Sequence, residues 1–133
     1  MTAPVRHQLS AVGVIRVLIA ESDARSRSLW RWSLDDDGRF VVIAEVGSGD
    51  ELSAFEGEPD LLLVDITLPG LNAHDAIERF RPAHPACVIV VLAPVEVPYL
   101  RRAMAEAGAD DYIVSTTPRP QVLNHLASLP RRD

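Results

Sequence analysis

The stretch DLLLVDITLPG, residues 60–70, decides the fold. Its four consecutive apolar residues at 61–64 predict a strand that is buried on both faces, as in the middle of a parallel sheet. Asp65 follows this run directly, and Pro69 and Gly70 predict a turn. An Asp just past a buried strand lies where open α/β sheets bind their ligands. The same position also suits an Asp that only caps a loop. Which of the two roles Asp65 has must be inferred from the residues that the rest of the chain brings near it.

The composition describes one globular domain with an acidic balance. The chain has 133 residues, of which 47% are apolar, and its net charge is −6. All 13 basic residues are Arg, and they do not cluster into the positive patch that nucleic-acid binding needs, so we expect no nucleic-acid contact by this chain.

We also expect no membrane contact and a cytoplasmic location, because no apolar run approaches the ~18 residues of a membrane span. The single cysteine, Cys87, is predicted to be a small buried hydrophobe.

Short apolar runs and segments of helical period alternate along the chain. The predicted strands are 16–20, 40–44, 61–65, 88–92 and 112–114. The predicted helices are 24–34, 50–55, 73–81, 98–107 and 118–129, and the third is expected to end before Pro82. This alternation predicts an α/β fold, a doubly wound, five-stranded parallel sheet with helices on both faces. The domain is expected to span 15–130, with a loose lead-in at 1–14 and a tail at 131–133.

Three stretches together resemble the receiver domain of response regulators in two-component systems. They are VLIAESDARSRSLW (17–30), DLLLVDITLPGLN (60–72) and LRRAMAEAGADDYIV (100–114), and the resemblance covers about 16–129. It implies a flavodoxin-like fold. It also implies that Asp65 is the phospho-acceptor, to which a histidine kinase transfers a phosphoryl group.

The resemblance further implies a pocket around the acceptor. In receivers an acidic pair after the first strand holds Mg²⁺ together with the acceptor Asp and a backbone carbonyl two residues beyond it. A hydroxyl after the fourth strand and a Lys after the fifth contact the phosphoryl oxygens. In this sequence Glu21 keeps the first acid and Thr67 occupies the carbonyl position, which any side chain suits.

Three other pocket positions depart from the family pattern: Ser22 replaces the second acid, Ala93 the hydroxyl residue and Ser115 the Lys. Mg²⁺ favours carboxylate oxygens, so a metal site of Glu21, Asp65 and Thr67 is expected to be weak or absent. Each lost donor typically costs about 3 kcal/mol of transition-state stabilisation. We therefore expect an atypical receiver, a protein-interaction or dimerisation module with weak or no dependence on phosphorylation of Asp65.

Two alternatives remain beside this interpretation. One is a working phospho-receiver, the N-terminal input domain of a DNA-binding transcriptional regulator. The other is an enzyme on the same fold, which we do not expect. An Asp-based phosphatase would need a second carboxylate two residues after Asp65, where Thr67 stands, and P-loops and catalytic triads are absent from the sequence.

Several residues are candidates for partner contacts or for a conformational switch. Leu29, Trp30, Ser33 and Leu34 share the predicted inward face of the first helix. Trp32 falls outside that face and could anchor a histidine kinase or a downstream effector, or pack on the last helix. On the 98–118 face, the charged residues could form salt bridges across the two-fold axis of a homodimer, or could simply be solvated; they are Arg101, Arg102, Asp110 and Asp111.

Two further residues each allow two interpretations. Tyr112 holds the position of the family's switch aromatic, which follows the hydroxyl residue inward, although Ala93 has no hydroxyl to move. A packing role for Tyr112 is the alternative. Asp23 could supply the missing metal ligand or cap the first helix, a role that Ser22 could also take.

Overall fold

The computed structural model describes residues 7–132, in which the five predicted strands form one parallel sheet. The strands are β1 (Ile15–Ala20), β2 (Phe40–Val46), β3 (Leu61–Asp65), β4 (Val88–Ala93) and β5 (Asp111–Val114). Their order is β2-β1-β3-β4-β5, and all neighbours pair in parallel. The predicted doubly wound α/β fold is confirmed, and its carboxyl ends bring the residues after β1, β3, β4 and β5 to one edge.

Helices connect the strands on both faces of this sheet. They are α1 (Ala24–Asp37), α2 (Gly49–Ser53), α3 (Ala73–Ala83), α4 (Pro98–Ala107) and α5 (Arg119–Ser128). Pro98 lies in the first turn of α4 and Gly108 follows its last residue, as the sequence predicts. Gly38 ends α1 with φ 86°, a left-handed conformation that favours glycine.

The central strand β3 explains the unbroken apolar run. Leu62 and Val64 belong to the core on one face, with residues of α2, α3 and α4. Leu61 and Leu63 belong to the core on the other face, with residues of α1 and α5. Both faces of the strand are therefore covered, and no polar alternation is needed.

Two predicted helices differ from the observed ones in extent and orientation. The first was expected to end at Leu34, but α1 continues to Asp37, where the Asp37 carboxylate binds Arg39. Leu29, expected to point inward, is 47% exposed, because the helix buries Ser33 and Leu34 instead. Helix α3 runs past Pro82 to Ala83, since a proline in the last turn removes little of the helical hydrogen bonding.

The prediction of a loose lead-in is wrong for Gln8–Val12. Leu9–Val12 forms a short 3₁₀ helix, and Leu9 is buried at 4% exposure. The Leu9 amide donates to the Leu129 carbonyl (2.9 Å), and the Arg131 amide donates to the carbonyl of His7 (2.9 Å). Arg131 of the predicted tail is thus attached to this segment as well. Residues 1–6 and 133 lie outside the described residues.

Candidate functional site

Asp65 ends β3 at the carboxyl edge of the sheet and is half-buried. Its Oδ1 accepts hydrogen bonds from the backbone amide of Thr67 (2.7 Å) and from the Thr67 hydroxyl. The chain then turns at Gly70, whose φ of +74° favours glycine and where a Cβ would lie 2.2 Å from the Asp50 carboxylate. This tight turn fixes the loop that presents the Asp65 carboxylate.

Glu21 is the first residue after β1, and its carboxyl faces Asp65. It is only 6% exposed, and its Oε1 accepts the amide of Asp23 (2.9 Å). Burial raises the pKa of the Glu21 carboxyl from 4.5 to about 7, and the hydrogen bond and charge of Asp65 add to that rise. The Glu21 carboxyl therefore keeps its proton to a higher pH than an exposed glutamate does.

Ser22 and Asp23 do not extend this pair into a cluster of three acids. Ser22 is exposed, and Asp23 caps α1, its Oδ2 accepting the Ser26 amide (3.0 Å). That hydrogen bond lowers the pKa of Asp23. The capping interpretation of Asp23 is confirmed, and Ser22 does not take that role. Within residues 7–132, no three His, Cys, Asp or Glu side chains are grouped so that they could hold a metal ion.

The two positions to which the resemblance assigns phosphoryl contacts, Ala93 and Ser115, lie at the carboxyl ends of β4 and β5. Ala93 ends β4 and is buried at 1% exposure, so a methyl group stands where the family has a hydroxyl. Ser115 is exposed, and its amide donates to the Ala93 carbonyl (2.7 Å). A short serine side chain thus stands where the family has a lysine.

A cleft of about 440 Å³ opens beside the two acids. Helix α1 contributes Ser26, Leu29 and Trp30 to its wall, and the segment after β5 contributes Ser115, Thr117, Pro118 and Arg119. Sequence reasoning missed Arg119 as a residue of this site. The signal was available, since Arg119 follows Pro118 at the predicted start of α5, on the same sheet edge as Asp65.

Tyr112 is a buried residue of β5, on the 98–118 face. It is 4% exposed, and its hydroxyl donates to the Val95 carbonyl (2.8 Å). The Arg101 guanidinium lies 4.9 Å from the centre of its ring and pairs with Glu96 (2.8 Å). The packing role of Tyr112 is evident in these contacts, while a switching role stays a prediction.

The four charged interface candidates differ in what they contact. Asp110 accepts the Ile89 amide (2.8 Å) and pairs with Arg81 (3.0 Å) and Arg132. Because these contacts lie within one chain, Asp110 is a poor candidate for a bridge to a second copy. Asp111 pairs with His125, whereas Arg102 is exposed.

Other single residues also have defined positions. Trp32 is 65% exposed, the orientation predicted for a partner anchor, and it borders a small groove with Pro120 and Leu123 of α5. Cys87 is buried as predicted, and burial raises the pKa of its thiol to about 12. Among the described residues, no helix combines the length and apolarity that a membrane crossing requires.

The fold agrees with the family comparison. The family model described as the response regulator receiver domain matches residues 17–127. The chain therefore belongs to the receiver-domain family, and the resemblance inferred from the sequence is confirmed.

The similar proteins are longer than this chain, which matches only a part of each. The transcriptional regulatory protein CusR of Escherichia coli K12 is 29% identical over 118 residues, which cover 89% of this chain and 52% of CusR. A cyclic di-GMP phosphodiesterase of Thermotoga maritima is 31% identical over 97 residues, which cover 73% of this chain and 26% of that protein. The chain thus spans about a quarter to a half of these relatives.

The solved structure of the response regulator domain of Thermotoga maritima CheB superposes with a TM-score of 0.77 at 23% identity. The match covers 85% of this chain and 93% of that one. At this identity the likeness establishes the fold and nothing more.

Proposed function

We propose that this receiver domain acts in signal transduction as a protein-interaction module whose state depends only weakly on phosphorylation of Asp65. The observation that carries the proposal is the set of groups around the acceptor. Ser22 is exposed, Ala93 presents a buried methyl group, and Ser115 ends in a short hydroxyl. Phosphoryl transfer depends on positioning and charge neutralisation, and these three side chains supply less of both than an acid, a hydroxyl residue and a lysine.

A magnesium site in this cleft would have a limited donor set. The residues that would hold the ion are Glu21, Asp65 and the carbonyl of Thr67, and a bound Mg²⁺ would neutralise charge on phosphoryl oxygens. Mg²⁺ usually keeps several of its water ligands, so the two carboxylates of Glu21 and Asp65 are compatible with binding it. The raised pKa of Glu21 opposes binding, because its proton must leave before the carboxylate can coordinate a cation.

Two surfaces are the proposed places for partners. Trp32 on α1 is exposed and could anchor a kinase or an effector. The 98–118 face could pair with a second copy, with the exposed Arg102 as its best-placed charged residue, because Arg101 and Asp111 already pair within the chain. On this face Tyr112 is already buried, and Ala93 offers no hydroxyl that would respond to a phosphoryl group.

The test is the yield of acyl phosphate on Asp65. The protein is incubated with acetyl phosphate and Mg²⁺, and the adduct is quantified by intact mass spectrometry, with Asp65→Asn as the blank. We expect little adduct in the natural chain and at least about 100-fold faster formation in the triple variant Ser22→Asp, Ala93→Thr, Ser115→Lys. Rapid stoichiometric adduct in the natural chain would contradict the proposal.

The second candidate function is a working phospho-receiver that serves as the input domain of a transcriptional regulator. It is favoured by the retained Asp65 and Glu21 and by the similarity to CusR over half of that protein. A catalytic activity of this chain itself is not proposed, because the match to the phosphodiesterase covers only 26% of that enzyme. Asp65→Asn separates the two functions, since a module independent of phosphate keeps its partner and oligomeric state in this variant.

A further inference from the structure

The cleft beside Asp65 contains a positive charge that the family pattern does not place there. Among the described residues that line it, Arg119 is the basic side chain, and it shares the cleft with Asp65, Ser115 and Thr117. Arg119 is the first residue of α5, four positions after Ser115. A positive charge therefore lies at the cleft, although position 115 carries none.

Trp30 holds this guanidinium at the cleft. The Arg119 Cζ lies 5.9 Å from the centre of the Trp30 ring, within the range of a cation–π contact. Trp30 belongs to α1 and also lines the cleft, so the arginine reaches from α5 toward the opposite wall. This contact orients the side chain and leaves its N–H groups available for an anion.

The Arg119 donors have no acceptor within residues 7–132, where the guanidinium forms neither a hydrogen bond nor an ion pair. Arg27, a basic residue of α1, differs in this respect. Its guanidinium donates to the Glu21 carbonyl (2.9 Å) and lies 3.6 Å from Glu45. Of the two arginines, Arg119 is thus the one that can accept a new anionic partner.

Hydroxyl groups complete the set of donors at this end of the cleft. Ser26 lines the α1 wall of the cleft, and Ser115 and Thr117 line the same wall as Arg119. A planar guanidinium that binds two oxygens at once, together with hydroxyls, suits phosphate-like oxyanions. The carboxylate to which a phosphoryl group would be attached, Asp65, lies in the same cleft.

We propose that Arg119 binds the phosphoryl oxygens on Asp65 in place of the family's lysine, and that Trp30 positions it for this role. The inference rests on the proposed function and deepens it, because it names the residue on which the remaining sensitivity to phosphorylation depends. Ser115 leaves the space that the longer side chain from α5 would enter.

The test uses beryllofluoride, a phosphoryl mimic, titrated with Mg²⁺ present and followed by ¹⁹F NMR. We expect Arg119→Ala to bind about tenfold more weakly than the natural chain, the loss typical of a charge-assisted hydrogen bond. Arg119→Gln, which keeps most of the stem over Trp30, should lose a similar amount. The matched control Arg102→Ala removes an exposed arginine on α4 and should bind like the natural chain.

A double-mutant cycle measures the coupling between positions 115 and 119 in beryllofluoride binding. A purely structural role of Arg119 would not produce this coupling. Ser115→Lys should strengthen binding, and in that background Arg119→Ala should cost much less than tenfold, since both cations contact the same oxygens. Equal affinity of the natural chain and Arg119→Ala, or no bound ¹⁹F signal in the natural chain, would overturn the inference. Strictly additive effects of Ser115→Lys and Arg119→Ala on the affinity would also overturn the inference. Tight binding by the natural chain that Arg119→Ala weakens would instead contradict the weak phosphate dependence and leave the inference standing.

Discussion

At the residue scale, the most unusual group is the buried carboxyl of Glu21. Its pKa is raised from 4.5 to about 7, chiefly by burial and then by Asp65. Between these two values the folded chain holds a proton that the unfolded chain has released. The free energy of unfolding therefore falls as pH rises through this window, and the stabilisation is fully present only below about pH 4.5.

Glu21→Gln should remove this pH dependence. The amide keeps an oxygen for the Asp23 amide but carries no charge, so the variant should be more stable than the natural chain above pH 7, by about 3 kcal/mol, and equal to it at low pH. Chemical denaturation across the pH range measures this difference. Glu106→Gln, which changes an exposed acid on α4, is the control and should not alter the slope. Parallel curves for Glu21→Gln and the natural chain would contradict the assignment.

At the element scale, Tyr112 connects β5 to the loop between β4 and α4. Its hydroxyl donates to the Val95 carbonyl, and Arg101 of α4 lies over its ring while pairing with Glu96. Strand, loop and helix are thus held by one side chain. This arrangement fixes the conformation of the 98–118 face without any contribution from Asp65.

Tyr112→Phe should loosen that loop. Loss of one buried hydrogen bond should lower the free energy of unfolding by about 1 kcal/mol and speed hydrogen exchange at residues 95–97. Tyr99→Phe is the matched control, since Tyr99 is 74% exposed and should change neither quantity. If both variants exchange at the same rate as the natural chain, the Val95 contact does not restrain the loop.

At the scale of the whole molecule, the amino-terminal segment is part of the domain. Leu9→Ala should lower the free energy of unfolding by about 2–3 kcal/mol, because Leu9 is buried in the core that α1 and α5 share. Denaturant melts would measure it. Val14→Ala removes a similar apolar group at a 56% exposed position and should cost little. A negligible effect of Leu9→Ala would mean that the segment does not pack on the domain in solution.

The sequence predicts what depends on short-range pattern. The apolar run 61–64 predicts the central strand. Because Asp65 follows this run directly, its position at the carboxyl edge of the sheet is predicted as well. Leu9 could not be predicted, because its burial depends on Leu129 and α5, more than a hundred residues away. The position of Arg119 at the start of α5 was predictable, but its contact with Trp30 was not, because Trp30 comes from the opposite wall of the cleft.

The hydrogen bonds that join His7 to Arg131 and Leu9 to Leu129 bring two distant parts of the backbone side by side. A short peptide linker that joins the region of Arg131 to the region of His7 would close residues 7–132 into a ring with little distortion of the native fold. Such a ring would have fewer unfolded conformations, so it should melt at a higher temperature than the linear chain.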